Sequence, residues 1–106
     1  MIDLDWSEDI SYTLSNAELI PDAMGVYKIL RQATGKNLYR VYVGQGNFRE
    51  RCLAHLRPDE PNTCLRERLR NYDCLFRYAL VFRQADRDEI EEELINQGTE
   101  CNQTAS

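Results

Sequence analysis

The sequence predicts an α+β fold, one domain of three strands with helices layered against them. Residues 25–30 and 38–44 are β-rich runs separated by a hairpin-sized gap containing Thr34-Gly35. Residues 75–82 are too apolar and too rich in aromatic residues to be anything but a buried strand. Around them, capping residues open segments whose apolar positions recur at helical spacing.

In chain order, Ser15-Asn16-Ala17-Glu18 fits a capping box, opening a short helix that Pro21 stops. In the first strand Tyr27 and Ile29 fall on one face, Val26, Lys28 and Leu30 on the other. Residues 32–37 turn the chain back into the second strand. Asn47 then caps a helix whose third residue is Glu50 and which runs to about Leu56. Pro58 and Pro61 break the chain before another helix begins near Asn62-Thr63, its apolar stripe Leu65, Leu69 and Tyr72. After the buried strand, Asp86 with Glu89 opens the last helix, which ends at Gly98. No linker, repeat or low-complexity tract interrupts this order. The expected domain spans residues 1–106, an acidic segment 1–22 followed by a core 23–102.

A chain of 106 residues holds one core and buries roughly two-thirds of its unfolded surface. No apolar run approaches the roughly 20 residues that cross a bilayer, so no membrane partner is expected. Met1-Ile2-Asp3-Leu4-Asp5 carries no basic region and does not read as a signal peptide. Cys52, Cys64, Cys74 and Cys101 are widely spaced, with no C-x-x-C pair and one histidine to help them. All four are therefore expected as free, metal-free thiols in a reducing, cytoplasmic compartment.

Charge is distributed unevenly. The net value is −5 and the pI about 4.8. Residues 1–24 hold six acidic groups and no Lys or Arg, whereas residues 25–57 hold Lys28, Arg31, Lys36, Arg40, Arg49, Arg51 and Arg57 against Glu50 alone. Residues 58–80 balance, and 81–106 are acidic again. A duplex-binding protein is normally basic overall, so the balance argues against tight non-specific DNA binding but not against a basic groove on an acidic body. The acidic N-terminal segment is expected to weaken DNA binding, by repelling the backbone or by lying across the basic block.

Two helices place functional groups in or just outside their apolar arcs. At about 100° per residue, Ile90, Leu94 and Ile95 span an apolar arc that contains Glu91 and leaves Glu89, Glu92 and Glu93 outside. A carboxylate facing the core needs a partner, a metal ion or an arginine. In the helix after Asn47, Arg51 and His55 sit at i and i+4 beside the arc of Phe48, Cys52, Leu53 and Leu56, where they can converge on one phosphate.

Gly25-Val26-Tyr27, then Tyr42-Val43-Gly44, then Arg51, His55 and a distal Glu91 form an ordered set that resembles the GIY-YIG nuclease family over roughly residues 20–102. The resemblance implies a small three-stranded antiparallel sheet flanked by helices. It also implies metal-dependent endonuclease activity on DNA, with one Mg²⁺ or Mn²⁺ ion. Glu91, three residues before Leu94-Ile95, takes the metal-ligand position and Tyr27 that of the general base. Tyr42 orients water or phosphate, Arg51 neutralises charge on the phosphate, and His55 assists by hydrogen bonding or proton transfer. Lys28, Arg51 and the metal ion are candidate sources of the field that draws off the Tyr27 proton. Lys28, Gly44, Arg49 and Asn102 are candidate substrate-binding residues. Arg49 stands two residues before the family's arginine position, and Thr99 replaces the family's usual proline three residues before Asn102. A partner domain or protein would supply specificity. Two other readings remain: a nucleic-acid-binding or regulatory module of the same fold with little activity, and an interaction protein with an accidental motif. The last predicts that no cleft gathers Tyr27, Tyr42, Arg51 and Glu91.

Overall fold

Residues 24–32 are buried on both faces, which makes their strand the middle of a sheet and not its edge. The computed structural model describes residues 4–102. Its elements are β1 (Ile10–Ser11), α1 (Leu14–Ala17), β2 (Met24–Gln32), β3 (Leu38–Asn47), α2 (Phe48–His55), α3 (Thr63–Asn71), β4 (Cys74–Leu80) and α4 (Gln84–Asn96). The strands form one antiparallel sheet in the order β1-β4-β2-β3. The sheet therefore has four strands and not three. The added one, Ile10–Ser11 against Phe76 and Leu75, is two residues long and too short to leave a period in the sequence.

The register divides the core. Tyr27 faces Gly44 and Tyr78, and Ile29 faces Tyr42 and Phe76, so these side chains share one face of the sheet. A bulge on β3 between the Ile29 and Leu30 pairings leaves Val41 as an extra residue, and Val41 and Tyr42 both reach this core. Phe48 and Cys52 of α2, Leu65 of α3 and Ala17 and Ile20 of the N-terminal region close over it. Burying Phe48 alone contributes about 1.5–3 kcal/mol. On the opposite face Val26, Ala79 and Val81 pack against Ile90 and Leu94 of α4, with Leu4 and Trp6.

The N-terminal segment is thus part of the folded body. Besides Ala17 and Ile20, Tyr12 donates its O–H to the Cys52 carbonyl at 2.7 Å, while Leu14 and Leu19 stay exposed. α1 starts ahead of the expected capping box, because Thr13 Oγ1 accepts the Asn16 N–H at 3.2 Å. α2 and α3 begin where expected. Asn47 Oδ1 accepts the Glu50 N–H at 3.0 Å, and Asn62 Oδ1 accepts the Leu65 N–H at 3.1 Å. Tyr72 is not in the α3 stripe; it leaves the helix in extended conformation and lays its ring against the Arg31 guanidinium. β4 ends at Leu80, and alternation turns Ala79 and Val81 inward but Leu80 and Phe82 out. α4 begins at Gln84, which puts Asp86 in the first turn, favoured there by the helix dipole, and not at the cap.

The expectation of four free thiols fails at two of them. Cys64 and Cys101 are joined in a disulfide with Cα atoms 5.4 Å apart; Cys52 and Cys74 are free and buried. The two sulfurs are far apart in sequence and meet only because residues 100–102 return along β3, where Cys101 N–H donates to the Val41 carbonyl at 2.8 Å. The thiol argument for a reducing compartment goes with them. Among the described residues no helix is long and apolar enough to cross a membrane.

Candidate active site

Tyr27 is the hub of the site. Its ring is 0% exposed and stacks on Phe76 with centroids 5.2 Å apart. The phenol passes over Gly44, where any Cβ would collide with the Tyr27 ring and hydroxyl. The glycine of the second tripeptide therefore makes room for the tyrosine of the first. Its hydroxyl meets His55 Nε2 at 2.7 Å, and His55 Nδ1 meets Glu60 Oε2 at 2.9 Å. Because the carboxylate accepts, Nδ1 carries the proton and Nε2 is left to accept the Tyr27 O–H. Glu60 Oε1 accepts the Asn62 N–H at 3.2 Å, so the same carboxylate that fixes the imidazole also anchors the start of α3.

The electrostatics of this chain are set first by burial. It lowers the His55 pKa below 6.5; Glu60 opposes this, Arg51 adds to it, and the imidazole is neutral at pH 7. Burial likewise pushes the Tyr27 phenol above its ordinary 10, with Tyr42 and Glu91 acting in the same direction and Arg51 against them. Tyr42, half-buried, is raised by burial as well, with Arg51 opposing and Glu91 and Glu60 adding. Arg51 and Glu91 thus act on the same two phenols with opposite sign. The aromatic rings are close: Tyr27 and Tyr42 centroids lie 6.3 Å apart, and Tyr42 and His55 meet edge-on at 5.2 Å.

Glu91 lies on α4 beside β3, where it meets Gln45. Its neighbour Ile90 is buried on α4, and Glu91 itself is half-buried, whereas Glu89 and Glu92 are exposed; Glu93, expected outside the apolar arc, is half-buried too. No arginine pairs with Glu91 among the described residues. Its one side-chain hydrogen bond among the described residues comes from Gln45 Nε2 at 3.3 Å, and Gln45 is held in turn by Asp88 Oδ1 at 2.8 Å and by Gln84 Nε2 at 2.9 Å. A single carboxylate with unfilled lone pairs suits a hard divalent ion that keeps most of its water, as Mg²⁺ does. No group of three or more His, Cys, Asp or Glu side chains gathers into a closed cage among the described residues. The donor set fits such an ion and does not fit zinc.

The remaining candidates part company. Arg49 Nε donates to the Ile20 carbonyl at 2.8 Å, tying α2 to the N-terminal region while its residue stays exposed. Lys28 lies on the other face of the sheet, 4.2 Å over the Trp6 ring, so it does not supply the field at Tyr27. Alternation alone decides this: Lys28 follows Tyr27 and must point away from it. Asn102 faces backbone, accepting the Val43 N–H and donating to the Val43 carbonyl, each at 2.8 Å. It acts as one more strand residue on the β3 edge, between Tyr42 and Gly44. Glu60 and Gln45 are site residues that sequence reasoning missed. The one signal for Glu60 was an acidic residue between two prolines, just past the helix carrying the chain's one histidine.

No protein-family profile, no curated protein and no solved structure matches the chain.

Proposed function

We propose that the chain is a divalent-metal-dependent endonuclease of the GIY-YIG type, hydrolysing DNA phosphodiesters. The observation that carries this reading is geometric: Tyr27 O–H meets His55 Nε2 at 2.7 Å, and the Tyr42 ring sits edge-on to the same imidazole at 5.2 Å. An accidental motif has no reason to bring Tyr27, Tyr42 and His55, from two strands and a helix, into contact.

The Glu60–His55–Tyr27 chain answers the main chemical objection to a tyrosine base. A phenol above pKa 10 holds its proton too tightly to act alone at neutral pH. Here His55 Nε2 takes the Tyr27 proton as Tyr27 takes one from the attacking water. The resulting imidazolium faces Glu60, which stabilises it. Water oxygen bonds to phosphorus, the bond from phosphorus to the leaving sugar oxygen breaks, and that oxygen takes a proton from solvent. Arg51 neutralises charge as it builds on the phosphate, and Tyr42, which is half-buried, orients the water. A divalent ion held by Glu91 would supply further neutralisation at a non-bridging phosphate oxygen.

One observation favours a second reading, a nucleic-acid-binding or regulatory module with little activity: Tyr27 has no exposed surface at which to meet an attacking water. Incubating duplex, flap and branched DNAs with Mg²⁺ or Mn²⁺, beside Glu91→Gln, separates the two. Cleavage by the parent and none by the variant is the expected result. Binding without cleavage of any substrate favours the module.

A further inference from the structure

We infer that the cavity between the end of α2 and α3 is a second phosphate site, which holds a backbone phosphate next to the one being cut. The inference rests on the nucleic-acid reading above. The cavity has a volume of about 260 Å³, with His55, Leu56 and Leu69 in its wall and Arg57, Arg66 and Arg70 around it. No carboxylate lines it. None of the three arginines is in an ion pair among the described residues. Arg66 is held in place by carbonyls, donating to Pro58 O and Glu60 O at 3.4 Å each. Carbonyls orient a guanidinium without neutralising it.

Three like charges around one cavity repel each other, and an anion relieves that repulsion. The C-terminal end of α2 brings roughly half a negative charge to the same place, which three guanidinium groups outweigh. Arginine is also the side chain whose planar fork best matches phosphate oxygens. The position suits a continuing strand. Arg51 and His55 are one turn apart on α2, about 6 Å along its axis, and the cavity opens just beyond His55. A strand with its scissile phosphate at Arg51 that follows the helix brings a neighbouring phosphate to Arg57 and Arg70.

A free phosphate ion would satisfy the same chemistry, so the test has two arms. In the first, inorganic phosphate is titrated into the full chain while the arginine Nε–H and His55 ring signals are followed by NMR. Saturable shifts at Arg57, Arg66, Arg70 and His55, absent in Arg57→Ala/Arg70→Ala, are expected; both replaced residues are exposed, so the fold is retained. No shift at these groups overturns the site. In the second arm, a duplex oligonucleotide is bound to Glu91→Gln, with and without the double substitution, across a salt series. The slope of log K against log salt should become shallower by about 0.9 for each phosphate that is no longer neutralised. Phosphate shifts with an unchanged slope overturn the backbone assignment and leave a site for a free anion. Both arms are independent of cleavage, so an inactive parent chain with the expected shifts and slope would sink the nuclease reading and leave the cavity a backbone-phosphate site of a binding module.

Discussion

Arginines are held in opposite ways at two corners of the molecule. Where residues 100–102 close on β3, Glu100 accepts from Arg31 Nε and Nη2, at 2.8 Å each, and from Arg68 Nε at 3.2 Å. Arg31 is also flanked by the Tyr39 and Tyr72 rings, and the neighbouring Cys101 is bonded to Cys64. On the α2–α3 side, Arg49, Arg51, Arg57, Arg66 and Arg70 have no carboxylate partner among the described residues. The first corner uses positive charge to lock the chain, and the second leaves it available. Counting charge along the sequence could not separate them. The basic block contained Arg31 and Lys28, both engaged in the fold, while the balanced stretch after it supplies Arg66 and Arg70.

If the open side is the working one, the largest losses must come from groups that bear on its phenols. Glu91→Gln and Tyr27→Phe each remove one functional group and little volume. Cleavage should fall by about 10³-fold or more in both; thermal unfolding should barely move for Glu91→Gln and drop modestly for Tyr27→Phe, which leaves buried His55 Nε2 without its donor. Activity comparable to the parent would sink the site assignment. Next comes Arg51→Ala, expected to cost about 10²–10³-fold. Arg49→Ala should cost far less, since its Nε is already engaged by the Ile20 carbonyl. The reverse order would mean that the phosphate lies nearer the first turn of α2.

Much of this was legible because local rules governed it. The caps at Asn47 and Asn62 and the β2 face carrying Tyr27 and Ile29 follow from periodicity and side-chain chemistry; the wheel did not separate Glu91 from Glu93, both half-buried. What sequence hid depends on pairings made far along the chain. The fourth strand, the Cys64–Cys101 bridge and the hold of Asn102 on Val43 exist only once the ends of the chain have returned to the sheet. Glu60 lies near His55 in sequence, yet its role depends on how a proline-bracketed turn folds back, which no helical or strand period describes.

The locked corner predicts stability effects. Reducing the Cys64–Cys101 bridge, or replacing both with Ser, should cost about 2–4 kcal/mol, read as a drop in the denaturation midpoint. Activity per folded molecule should change less than for Arg51→Ala, because neither sulfur hydrogen-bonds the Glu60–His55–Tyr27 chain. A loss of cleavage larger than the loss of folded protein would join the two corners functionally.

Glu60 sits between the extremes. Glu60→Ala leaves the His55 Nδ1–H and the Asn62 N–H without their acceptor, at about 1–3 kcal/mol. It should also lower the His55 pKa further, since burial and Arg51 then act unopposed. The parent's pH dependence has a definite sign. The unfolded imidazole titrates near 6.5 and the folded one below it, so between these values the unfolded state binds more protons. Stability therefore falls as pH drops below about 6.5, and His55→Gln should flatten that part of the curve. An NMR titration placing the folded His55 pKa above 6.5 would reverse the argument.

The smallest effect expected tests whether the open side is the only approach for DNA. Asp5 and Glu8 are exposed, and the chain between them runs beside β4, with Ser7 N–H donating to the Tyr78 carbonyl at 2.8 Å. Trp6 packs on the α4 face of the sheet, opposite Tyr27. Asp9 is paired with Arg77 and must be spared, since removing it would free a positive charge and confuse the result. Neutralising Asp5 and Glu8 together should change DNA affinity by less than about twofold at 0.1 M salt, where fields fade over about 10 Å. At lower salt a slight tightening is expected, converging with the parent as salt is added. A severalfold tightening that persists at 0.1 M salt would show that DNA also reaches the β4 and α4 side, and the contrast between a working corner and a locking one would no longer describe how this molecule uses its charge.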